Sequence, residues 1–90
     1  MTDEVWQLEV TSPAVRDLER LPAKYAHAVI DFFEVLSENP KRVGKPLRFE
    51  LEGSWSARRG PYRIVYSLEE DVHKIFVLAI AHRADVYRPR

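Results

Sequence analysis

Arginines stand where this chain should form strands. Tyr62-Arg63-Ile64-Val65-Tyr66 and Ile80-Ala81-His82-Arg83-Ala84-Asp85-Val86-Tyr87-Arg88 both set guanidinium groups within or at the end of apolar runs. A guanidinium suits a packed core badly and suits phosphate oxygens well, because its planar fork donates two parallel hydrogen bonds. Between Gly53 and Leu68 the chain carries Arg58, Arg59 and Arg63 and no acid. Tyr62, Tyr66, Tyr87 and His82 add groups that can hold or move a proton. A small sheet carrying guanidinium groups that suit phosphate, with tyrosines and a histidine beside them, reads as an RNA-handling site.

Other chemistries are poorly supplied. The chain has no cysteine, which removes disulfides, thiolate nucleophiles and Cys-zinc sites and fits a reducing, cytoplasmic setting. No set of Asp, Glu and His has metal-ligand spacing, so neither a metal nor another cofactor is expected. The start, Met-Thr-Asp-Glu-Val-Trp, is acidic and unlike a signal peptide, and no long apolar run suggests a membrane span.

Ninety residues, 46% hydrophobic and 11% aromatic, suffice for one packed domain spanning 1–90. The net charge of zero is unevenly spread. Residues 1–40 hold 8 acids against 3 bases, and residues 41–66 hold 7 bases against 2 acids. An acidic first half and a basic centre either neutralise each other across the fold or mark a polyanion partner.

The elements that must position these groups follow from periodicity. Trp6, Leu8 and Val10 alternate with Gln7 and Glu9, predicting a half-buried strand. Ser12 is then a suitable N-cap and Pro13 a suitable first residue for a helix running to about Arg20. After Leu21-Pro22, the spacing of Tyr25, Val29, Phe32, Phe33 and Leu36 predicts a second amphipathic helix ending near Asn39-Pro40. Lys41, Arg42, Lys45 and Arg48, with Gly44 and Pro46, read as a basic loop. Strands are then expected over Trp55–Arg59, Tyr62–Leu68 and Lys74–Ala81, joined by short turns. The order is β-α-α-β-β-β: an α+β fold with a mainly antiparallel four-stranded sheet and a helical hairpin on one face.

Strand parity sorts the arginines. If the bulkier sets, Tyr62, Ile64, Tyr66 and Leu68 on one strand and Phe76, Leu78 and Ile80 on the next, face the helices, then Arg63 and Arg83 share the open face. Ser56 and Arg58 join them, and Arg59 and His82 take the opposite parity. The plainer roles are ion pairs, Arg63 with Glu50 or Glu52 and Arg83 with Asp85 or Asp71.

Several segments together resemble one family. Gly44-Lys45-Pro46-Leu47-Arg48, Leu51-Glu52-Gly53, Ser56-Ala57-Arg58-Arg59-Gly60, Tyr62-Arg63-Ile64-Val65-Tyr66 and His82-Arg83 with Asp85-Val86-Tyr87-Arg88 look like the RelE toxins of bacterial type II toxin–antitoxin systems. The resemblance spans nearly the whole chain. It implies a metal-independent, ribosome-dependent endoribonuclease that cuts messenger RNA in the decoding site, by attack of a ribose 2′-hydroxyl on the adjacent phosphate. It also implies a cognate antitoxin, with operator DNA bound only through the toxin–antitoxin complex. Carried over, the catalytic positions are Arg63, Arg83, Tyr87 and Arg58, with His82 a rival to Tyr87 for the proton. Lys45, Arg48, Arg59 and Arg88 would bind the RNA backbone. Similar proteins often carry lysines on the strand before the Tyr-Arg strand, where this chain has Ser56, Ala57, Arg58 and Arg59. Relatives of the ParE type share the fold but inhibit DNA gyrase by binding, and an inactive toxin acting as co-repressor is a third outcome.

Overall fold

The alternating run before Thr11 forms the first strand, β1 (Gln7–Val10), with Leu8 and Val10 half-buried and Gln7 and Glu9 exposed. It is seen in a computed structural model that describes residues 5–48 and 52–82. Helix α1 (Ser12–Arg20) follows at once. Its N-cap is Thr11 rather than Ser12, and the reason is local. The Thr11 carbonyl accepts from the Val15 N–H at 2.9 Å, while its hydroxyl donates to the Val77 carbonyl at 2.7 Å. The hydroxyl thus ties the strand–helix junction to the sheet instead of capping the helix. Leu21-Pro22 breaks the chain, and α2 (Ala23–Glu38) packs Val29 and Leu36 into the core.

Pro40 does more than end α2. It opens a further helical turn, α3 (Pro40–Val43), at a position where a missing N–H has no cost. The stretch read as a basic loop also contains a two-residue strand, β2 (Lys45–Pro46). Strands β3 (Ser54–Arg59), β4 (Tyr62–Glu69) and β5 (Lys74–His82) complete the sheet, in the order β1-β5-β4-β3-β2. Among the described residues the sheet thus has five strands where four were expected. β2 falls within the stretch expected to be a basic loop, and at a sheet edge its Pro46 is tolerated. β1 pairs with β5 in parallel and every other pairing is antiparallel. The β3–β4 hairpin turns on Gly60, whose φ of 60° favours glycine.

The core lies between the helices and one face of the sheet. Ala14, Val29 and Leu36 from the helices meet Ala57, Ile64, Tyr66, Ile75, Val77 and Ile80 from the strands. This corrects the expected phase of β5. Ile75 and Val77 are fully buried, whereas Phe76 and Leu78 are only partly so. Val65 pairs with Ala79 while Tyr66 pairs with Val77, so Leu78 is an extra residue, a β-bulge. The bulge inverts parity, and beyond it Ile80 points inward and Ala79 and Ala81 outward, as the sequence reading had them. Asp17 on α1 secures the strand beyond the bulge. β1 ends opposite Val77, and the Asp17 carboxylate (Oδ2) accepts the Ile80 N–H at 3.0 Å.

No described helix is long and apolar enough to cross a membrane.

Candidate active site

Residues paired in register across neighbouring strands share a face. Arg58 pairs with Arg63, Ser56 with Val65, and Lys45 with Ser56. These five residues therefore lie on the face turned away from the Ile64–Tyr66–Ala57 core. There a cavity of about 380 Å³ is lined by Val43, Lys45, Ser56, Arg58 and Arg63. The volume is toward the lower end for small-ligand sites, ~300–1,000 Å³.

The electrostatics are one-sided. Among the described residues, three cations line the cavity and no acid does. Arg63 is half-buried with its Nε shielded from solvent, so the guanidinium stem is held by the sheet; Lys45 and Arg58 are exposed. Ser56, 7% exposed, forms part of the lining, and its buried Oγ makes no hydrogen bond among the described residues. Cations gathered on one face suit an oxyanion, which can accept charge-assisted hydrogen bonds from them.

A buried latch holds the Val43–Lys45 wall in place. Tyr66, fully buried, donates its hydroxyl to the Pro40 carbonyl at 2.6 Å. Burial pushes the Tyr66 pKa up to about 12. Its proton is thus fixed in the neutral range, and the residue anchors rather than titrates. Gly44 sits directly on this phenol. A Cβ there would overlap the Tyr66 Oη, lie 2.9 Å from Cζ and approach the Ser56 carbonyl oxygen to 3.1 Å. The latch was not foreseen as part of the site. Its signals were present, an inward-facing tyrosine and a glycine immediately before Lys45, but only tertiary structure joins them.

The other predicted site residues separate. Arg59 pairs with Tyr62, and Tyr62 with His82, which puts both on the helix side of the sheet. There the Tyr62 ring meets Tyr25 of α2 at 5.3 Å and His82 edge-on at 5.8 Å between centroids. Arg48 is exposed just beyond β2. Lys41, from the same basic stretch, is drawn elsewhere by an exposed ion pair with Glu70 at 2.8 Å. Arg83, Tyr87 and Arg88 lie outside the described residues. No group of three or more potential metal ligands occurs among the described residues.

The structure thus defines a class: a small α+β protein with helices on one side of a mainly antiparallel sheet and a cation-lined cavity on the other. A family model described as the ParE toxin of type II toxin-antitoxin system, parDE, matches residues 8–87. Toxin RelE of Mycobacterium tuberculosis is 47% identical over 96% of this chain and 90% of its own length. Toxin RelG of the same organism is 46% identical over 92% of this chain and 97% of its own. The RelBE2 toxin–antitoxin complex from M. tuberculosis contains a chain that superposes with a TM-score of 0.85 at 43% identity, covering 89% of this chain and 100% of that one. The archaeal RelE–RelB complex from Pyrococcus horikoshii OT3 shares the fold at 20% identity, with a TM-score of 0.71 over 92% of this chain and 100% of that one. The chain belongs to the RelE/ParE superfamily of type II toxins.

Proposed function

We propose that this chain is a ribosome-dependent endoribonuclease that stops translation by cutting messenger RNA in the decoding site, and that a cognate antitoxin neutralises it. The observation that carries this reading is the cavity lined by Lys45, Arg58 and Arg63, with no acid among its described lining residues. In the reaction, the ribose 2′-oxygen attacks the adjacent phosphorus and the bond to the 5′-oxygen breaks, leaving a cyclic phosphate and a 5′-hydroxyl. Negative charge builds on the non-bridging oxygens in the transition state. Arg63 and Arg58, adjacent on neighbouring strands, are the groups to hold them. Arg83 and Tyr87, which follow β5 in sequence, are assigned to complete the site, and Arg48 and Arg88 to contact the RNA backbone; Arg59, on the helix side with His82, would meet RNA only away from the cavity. Of the two rivals for proton transfer, Tyr87 is favoured, because His82 is on the helix side of the sheet.

The protein acts in the cytoplasm as one domain, residues 1–90, and needs no metal. It reaches operator DNA only through its antitoxin complex. The complexes formed by the RelBE2 and P. horikoshii relatives support the antitoxin partner.

The ParE description of the matching family model favours one second reading, inhibition of DNA gyrase by binding. A single pair of assays separates the two. Purified chain added to programmed ribosomes should cut the message at the decoding site, antitoxin should abolish the cut, and gyrase supercoiling should be untouched. Supercoiling inhibition without ribosome-dependent cleavage would reverse the assignment.

A further inference from the structure

We infer that Lys45 is the general acid that protonates the departing 5′-oxygen, an inference that rests on the endoribonuclease reading above. Lys45 would otherwise count as one more backbone-binding cation. Its position says more. β2 is only two residues long, yet its register sets Lys45 opposite Ser56, two residues from Arg58 on the same face. With strands ~4.8 Å apart and ~3.4 Å of rise per residue, the Cα atoms of Lys45 and Arg58 are roughly 8 Å apart, within reach of a lysine side chain aimed at a phosphate between them. The small Ser56 side chain leaves that path open, and among the described lining residues its hydroxyl, buried without a hydrogen bond, is the one polar side-chain group besides the cations.

The chemistry singles out Lys45 among the cavity residues. A guanidinium does not give up its proton in a protein, so Arg58 and Arg63 can hold charge but cannot act as acids. A lysine ammonium is protonated at neutral pH and carries three donors on a flexible stem. In the proposed step the 2′-oxygen gives its proton to Tyr87, the proton acceptor of the reading above acting as its phenolate, and forms the new bond to phosphorus. The P–O5′ bond breaks, its electron pair goes to the 5′-oxygen, and a Lys45 Nζ proton moves onto that oxygen. Lys45 is left neutral and regains its proton from water.

The test removes the need for the acid. A messenger is made with sulfur in place of the 5′-oxygen at the scissile linkage, since a thiolate departs without being protonated. Lys45→Gln should slow cleavage of the ordinary message on ribosomes by on the order of 10²–10⁴-fold, the usual worth of general acid catalysis. On the sulfur-linked message the same variant should stay within about threefold of the unaltered chain, since only the proton-dependent part of the barrier is lost. Lys45→Arg, which keeps the charge without the acid, should behave like Lys45→Gln. Equal loss on both messages would make Lys45 a phosphate-binding residue and overturn the proposal, as would no loss on either. If Tyr87→Phe, and not Lys45→Gln, is rescued by sulfur, the proton comes from Tyr87 and the assignment is wrong. An unaltered chain that cuts neither message overturns the endoribonuclease reading and this inference with it, an outcome distinct from failure at Lys45 alone.

Discussion

The Tyr66 hydroxyl reaches out of the sheet core to the Pro40 carbonyl at 2.6 Å, so one buried hydrogen bond joins β4 to the turn that carries the cavity's outer wall. The two residues are 26 positions apart in sequence, and both are fully buried. Tyr66→Phe keeps the ring and deletes the donor, which leaves the Pro40 carbonyl buried without its partner. Such an orphaned group costs about 1–3 kcal/mol. Urea unfolding should show a loss of that size. Hydrogen exchange should accelerate in α3 and β2 before it does in β5.

The same residue sets an alkaline limit on stability. The Tyr66 pKa is about 12 in the folded chain, against ~10 for an exposed tyrosine. The fold favours the neutral phenol, so its contribution is complete below about pH 10, the unfolded value, and is lost as pH rises through the folded value. The two-unit difference corresponds to roughly 3 kcal/mol. The stability gap between the unaltered chain and Tyr66→Phe should therefore narrow between about pH 10 and 12. A gap that stays constant over that window would mean the phenol is not shielded as described.

Gly44→Ala tests the other side of the latch. Its φ of −114° is open to any residue, so the obstacle is contact and not backbone strain. The added methyl collides with the Tyr66 phenol, and overpacking of this kind costs about 1–3 kcal/mol. Combined with Tyr66→Phe, which removes the atom most in the way, the two losses should sum to less than their separate values. Additive losses in a double-mutant cycle would show that Gly44 and Tyr66 do not share a contact.

Much of this fold and part of the site could be read from residue order. Alternation in Trp6–Val10 and Tyr62–Leu68 marks strands, and the Tyr25–Leu36 spacing marks a helix, because burial of one face imposes those periods. The same alternation puts Ser56, Arg58 and Arg63 on one face, where the register places them. It fails at Leu78, since a bulge shifts parity without leaving a residue signature, and Ile75/Val77 and Phe76/Leu78 are similarly apolar choices for the inward set. It also misses β2, a strand defined only by its partner Ser56-Trp55. Lys45 accordingly looked like part of a basic loop, while Arg59 and His82, near the cavity in sequence, lie on the helix side of the sheet.

Asp17 should matter more than a half-buried helix carboxylate usually does. It accepts the Ile80 N–H just past the bulge, where β1 no longer supplies a partner. Asp17→Ala should cost about 1–3 kcal/mol, the range for stranding a shielded amide beside a lost charged acceptor, whereas Asp17→Asn retains an oxygen acceptor and should recover much of it. Amide exchange at Ile80 should quicken selectively in Asp17→Ala. Uniform quickening along β5 would indicate a general loss of packing instead.

Arg58 and Arg63 are the register pair on which the cavity's grip on phosphate is expected to depend. Lysine at position 63 keeps the charge but loses the planar fork, so Arg63→Lys separates geometry from electrostatics. Ribosome-dependent cleavage should fall on the order of 10²–10³-fold in Arg63→Ala, the scale seen when a transition-state donor is removed. Arg63→Lys should recover only a small part. Because both guanidinium groups would hold one phosphate, adding Arg58→Ala to Arg63→Ala should cost less than it does alone, since the site has already lost its bidentate contact. The folded state should tolerate all three changes, because Arg58 is exposed and Arg63 is only half-buried. Multiplicative losses, with each arginine worth the same in either background, would mean that the two guanidinium groups contact separate phosphates along the RNA.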